Sequence, residues 1–141
     1  MGSRARGFFI AGSAGLALGG VLHFFGQFRG GDRPLALRAV EAAMRGYTIE
    51  GMGMSPSVMD IMQAWGAAFG VMAVFGGVQN LILASNSPRP LGLPAAWSAL
   101  CAAVLVGIGF HYHALPPVVV FSLVFLCFAA ATALAIKAGG A

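Results

Sequence analysis

The chain has 141 residues, of which 59% are hydrophobic and 9% charged, with a mean hydropathy of +0.87; ordinary soluble domains are about 25% charged. Eight Lys/Arg and four Asp/Glu cannot cover a core of this size with polar surface, so lipid must solvate most of the exterior and a soluble domain is excluded. The net charge of +4 and pI near 9.8 come from arginines scattered between apolar runs rather than gathered in a patch, which excludes nucleic-acid binding.

The start, MGSRARGFFIAGSAGLALGG, has the basic and apolar regions of a signal peptide. Apolar residues continue to Phe28, so it reads instead as an uncleaved first span over about 8–28. Arg6 stands where a myristoylation motif needs Ser or Thr. Crossing a hydrocarbon core of about 30 Å takes about 20 largely apolar residues, and three further segments approach that length without Lys, Arg or Glu: about 58–84, 93–112 and 116–136. The expected fold is an all-α membrane protein, a single-domain four-transmembrane-helix bundle.

The connection over residues 29–57 changes period. Leu37, Val40, Met44 and Tyr47 form one stripe while Arg38, Glu41 and Arg45 form another. A short amphipathic surface helix between spans 1 and 2 follows, over about 34–46, lying flat in the interface or capping the bundle. Asp32 and Pro34 suit its start and Gly46 its end. The next piece, GMGMSPSVMD, reads as a flexible turn leading into Ser57-x-x-Asp60, a capping-box spacing at the start of the second span.

That second span is long enough to tilt or project beyond the hydrocarbon. Its Gln63, Gln79 and Asn80 suit hydrogen bonds between helices, and Trp65 and Trp97 suit interfacial belts. SNSPRPLGLP forms a tight turn to the third span. Cys101 and Cys127 fall within apolar segments and read as small buried hydrophobes. GLALG (Gly15 to Gly19), GAAFG (Gly66 to Gly70) and the alanines at 129, 130, 131, 133 and 135 are spaced for close helix packing, which in lipid replaces the missing hydrophobic drive.

Four crossings put both termini on one side. Arg4, Arg6, Arg89 and Lys137 fall on the terminal side and Arg29, Arg33, Arg38 and Arg45 on the other, a tie. The acids Asp32, Glu41, Glu50 and Asp60 all lie opposite the termini, and the termini are expected in the cytoplasm.

Three histidines converge on one membrane face if the spans alternate in direction: His23 ends the first span, and His111 and His113 end the third. A helical side chain leans over the residue four positions earlier, which is Gly19 for His23 and Gly107 for His111. Both imidazoles are expected over bare backbone at similar depth. That arrangement suits a flat ligand, a haem b with two axial histidines or a quinone head group, or a lipid. Met52, Met54, Met59 and Met62 share the face, and with His113 they offer a soft set for copper. Against these stands the plainer reading of histidines in a wet interface and methionines as packing filler.

No nucleophile–base pair, phosphate-cradling loop or paired carboxylate within a span is present in the sequence. The expectation is therefore a non-catalytic accessory or scaffolding subunit, or a small oligomer, partnered by the lipid bilayer and by helices of a homo-oligomer or larger membrane complex. The order of LHFFGQF, ALRAVEAAMRG and QAWGAAFGV resembles small four-helix bacterial membrane proteins, DoxX-like in outline. The resemblance covers most of the chain and implies a bacterial inner membrane location and the same span order, with no site residue to carry over.

Overall fold

The computed structural model describes residues 3–28, 34–51, 53–87, 91–111 and 115–139. Among these the elements are α1 (Ser3–Phe28), α2 (Leu35–Gly46), α3 (Val58–Asn86), α4 (Gly92–His111) and α5 (Leu115–Gly139). All but α2 are long and apolar enough to cross a membrane. Arg4 and Arg6 prolong α1 toward the N-terminus beyond the apolar run. At about 1.5 Å per residue the 20-residue α4 is about 30 Å long and the 29-residue α3 about 43 Å. The former just matches a hydrocarbon core, and the latter exceeds it.

The helix starts follow from local chemistry. Ser57 and Asp60 form a reciprocal box at α3: the Asp60 N–H donates to Ser57 Oγ (3.1 Å) and the Ser57 N–H donates to Asp60 Oδ2 (3.0 Å). The Ser57 hydroxyl also donates to Oδ2 (2.7 Å). A cap of this kind contributes about 1 kcal/mol. Pro94 in α4 and Pro116 and Pro117 in α5 occupy first turns, where a missing N–H costs no intrahelical bond. Pro34 sits at the N-cap of α2, and its carbonyl accepts the N–H groups of Leu37 and Arg38. Asp32, expected to help start this helix, lies outside the described residues.

The chain divides into two compact units, residues 1–19 with 73–141 and residues 20–72. In the first, parts of all four long helices pack together. Its core is small: Phe9, Leu91, Val124 and Phe128 with five alanines, among them Ala95, Ala99 and Ala102 of α4. The rings of Phe9 and Phe128 meet tilted, with centroids 5.6 Å apart. Helix α1 is contacted on two faces. Toward α5, Cβ atoms at Gly12, Gly15 and Gly19 would meet Phe128, Val124 and Val120 at 3.1–3.4 Å, a descending order that makes the two helices antiparallel. Toward α3, a Cβ at Gly77 would lie 2.6 Å from the Ala17 nitrogen and 2.7 Å from the Ser13 carbonyl oxygen, so the two backbones touch. Arg6 reaches the same helix and donates to the Ala84 carbonyl.

The second unit repeats this glycine contact. A Cβ at Gly70 would meet Phe24 at 2.9 Å and the Gly20 carbonyl oxygen at 3.0 Å, and one at Gly66 would meet the end of Gln27. The unit also holds α2, whose residues are all at least partly exposed. Residues 47–51 and 53–57 pair as the arms of a hairpin, in the stretch where the Gly/Met composition suggests a turn. Antiparallel bridges join Thr48 to Ser57 and Gly51 to Met54, the Ile49 N–H donates to the Pro56 carbonyl, and Gly53 takes the positive φ (75°) that the tight turn demands.

The exteriors are apolar. Leu18, Phe25, Trp65, Met72, Leu93 and Ile136 are all exposed, as helices in contact with lipid require. Gly77→Leu is expected to lower stability by about 1–3 kcal/mol or prevent folding, because backbone blocks the new side chain. Gly107→Leu, placed in open space, is expected to change it by less than about 0.5 kcal/mol. Unfolding in mixed micelles followed by circular dichroism measures both.

Candidate functional site

In the first unit, α3 and α4 bring polar side chains together within an apolar setting. Asn80 Nδ2 donates to Ser98 Oγ at 3.1 Å, the inter-helix use expected of Asn80. Gln79, expected to do the same, is exposed and makes no hydrogen bond among the described residues. Both amides border a cavity of about 270 Å³ that Phe75, Trp97 and Cys101 also line. Its apolar lining includes Leu16, Val124 and Phe128. Cys101 is exposed rather than buried as expected, because the inward positions of α4 are taken by Ala95, Ala99 and Ala102, and Cys127 is half-buried.

The depth of this cluster follows from helix length. Ser98 lies six residues after Gly92, the first residue of α4, which is about 9 Å along the axis. The bond to Asn80 places the α3 amides at the same level. Because α4 just spans about 30 Å, the cluster lies within its apolar length rather than at its end.

The histidine candidates have different surroundings. His23, in the second unit, is half-buried: Gln27 Nε2 lies 3.3 Å from His23 Nε2, and the Phe69 ring meets the imidazole edge-on at 5.1 Å. Gln27 is four residues along the helix, so this pair was readable in HFFGQ. At Gly19, the clearing expected beneath His23, the Cβ position faces Val120 at 3.1 Å. At Gly107, the clearing expected beneath His111, the Cβ position is open. His111 is the exposed last residue of α4, in the first unit. Met54 is exposed on the hairpin. His113 and Met52 lie outside the described residues, and among the described residues no three His, Cys, Asp or Glu side chains gather as metal ligands.

Sequence reasoning missed Ser98, Trp97 as a cavity wall and Cys101 as a cavity residue. The adjacent amides Gln79-Asn80 were the available signal, but their partners come from a different helix, and nothing in either segment gives the rotation of one against the other. No family model, no curated protein and no solved structure matches this chain.

A double-mutant cycle on Asn80→Ala and Ser98→Ala is expected to give a coupling of about 0.5–1.5 kcal/mol, the range for hydrogen bonds between membrane helices. Additive effects in micelle unfolding would show that the two side chains act independently.

Proposed function

We propose that this chain crosses a bilayer four times as a non-catalytic integral membrane protein, an accessory or scaffolding subunit or a small oligomer, with α2 lying along the membrane surface. The observation that carries this reading is how the polar side chains are engaged. Ser13, Ser85, Asn86 and Thr132 donate to carbonyls of their own helices. Ser57 and Asp60 cap α3, Arg6 bonds to the Ala84 carbonyl, and Gln27 pairs with His23. These groups hold helices in shape and in contact, which is what a structural membrane element needs.

The surface placement of α2 rests on its pattern. Leu37 and Val40 are exposed, Arg38 and Arg45 lie on the other stripe, and the helix is connected on either side to a helix of membrane-spanning length. An amphipathic helix so tethered buries its apolar stripe at the headgroup boundary. Both termini then share one side, read as the cytoplasm, and the outline is that of the bacterial inner-membrane proteins the sequence resembles.

Reporter tags fused separately to the N- and C-terminus are expected to be labelled from the same side of sealed vesicles; opposite sides would overturn four crossings. Native mass spectrometry from lipid nanodiscs is expected to show either several copies of the chain or a second polypeptide at fixed stoichiometry. A single copy that turns over a substrate would overturn the accessory reading.

A further inference from the structure

The cavity between α3 and α4 has features that packing leaves unexplained. Gln79 is an exposed carboxamide at the level of Ser98, within the apolar length of α4, and in a membrane-spanning helix a polar group there without a partner is costly. Beside it, the Asn80 carbonyl oxygen keeps its acceptor capacity and the Ser98 hydroxyl its proton, since their mutual bond uses only one amide N–H and one hydroxyl lone pair. One small recess thus presents donors and acceptors side by side, between the Phe75 and Trp97 side chains. None of its lining residues is Asp, Glu, Lys, Arg or His, so an ionic head group would find no counter-charge there.

We propose that this recess is a lateral binding site for an uncharged amphiphile, a long hydrocarbon or isoprenoid chain ending in a hydroxyl or carbonyl group. The head hydrogen-bonds to Gln79 and to the Asn80–Ser98 pair, and the chain leaves past Trp97 and Cys101 into the bilayer. A phospholipid fits poorly, because its charged head group belongs at the boundary about 9 Å away from Ser98. At about 270 Å³ the recess lies just below the roughly 300–1,000 Å³ of small-molecule sites, a size for a head and the first part of a chain. Phe75, Gln79, Trp97 and Cys101 of its lining are themselves exposed on the apolar exterior, so the ligand arrives from within the membrane.

This proposal rests on the membrane-spanning reading, and its test separates the two. In nanodiscs, a photoactivatable long-chain alcohol is compared with a phosphatidylcholine carrying the same photoactivatable chain, and labelled peptides are mapped by mass spectrometry. The alcohol is expected to label 75–80 and 97–102, to be competed by unlabelled alcohol, and to lose about three- to tenfold of that saturable signal in Gln79→Leu, the effect of one hydrogen bond. Gln79→Leu alters an exposed side chain, and unchanged helical content by circular dichroism shows that it folds. Label that does not saturate, that spreads evenly along α3 and α4, or that is equal for the two probes would overturn the site, as would a cross-link from these peptides to a second polypeptide. Extraction of the chain from membranes by alkaline carbonate would instead overturn the membrane-spanning reading on which the site depends.

Discussion

Backbone-to-backbone contact between α1 and α3 is the constraint on which the helix packing depends. Two helices surrounded by lipid gain nothing by hiding leucines from one another, since the acyl chains are as apolar as the side chains. What remains is dispersion at short range, and its strength falls steeply with the first ångström of separation. Gly77 against Ser13 and Ala17 in one unit, and Gly70 against Gly20 and Phe24 in the other, remove that ångström. Because α1 also presents Gly12, Gly15 and Gly19 to α5, it touches neighbours on two faces in the first unit. A larger residue at Gly77 would meet main chain rather than a movable side chain.

Polar side chains complete what glycine begins. Within a hydrocarbon layer every donor needs an acceptor from the protein itself, and here most find one locally: Ser13 four residues back on α1, Thr132 four back on α5, and Ser57 with Asp60 across the first turn of α3. Asn80 instead spans to Ser98 and ties α3 to α4. Gln79, one residue away, is exposed and lines the recess. The contrast between these adjacent amides, one engaged and one exposed at the same depth, is what distinguishes the α3–α4 recess from the rest of an apolar exterior.

The recess is also a product of the small core. The inward face of α4 is Ala95, Ala99 and Ala102, which lets α4 lie close to α5, while on its other side Phe75 and Trp97 turn outward and leave space between α3 and α4. Close packing on one flank and a gap on the other follow from one pattern of alanines and aromatics. The second unit also holds α2 and the hairpin, and no residue of α2 is buried. Their exposed Leu37, Val40, Ile49 and Met54 suit the headgroup boundary better than water.

Much of the architecture was legible residue by residue. Hydropathy and length located the four long helices and the change of period located α2, because each is a sum over neighbouring positions. The Ser57–Asp60 cap was readable for the same reason: its partners are three residues apart. GAAFG and GLALG were correctly read as packing surfaces, but not that one serves α3 against α1 and the other α1 against α5, nor that Gly77 and Gly12 matter as much. The surroundings of His23 show the same limit, since Gln27 could be read from spacing and Phe69 could not. Which helix meets which, at what rotation, and therefore that Asn80 finds Ser98 while Gln79 borders a recess, was decided only in the folded chain. A twenty-residue apolar run has nearly the same transfer free energy whichever way it turns about its axis. Only contact with a helix distant in sequence separates one rotation from another.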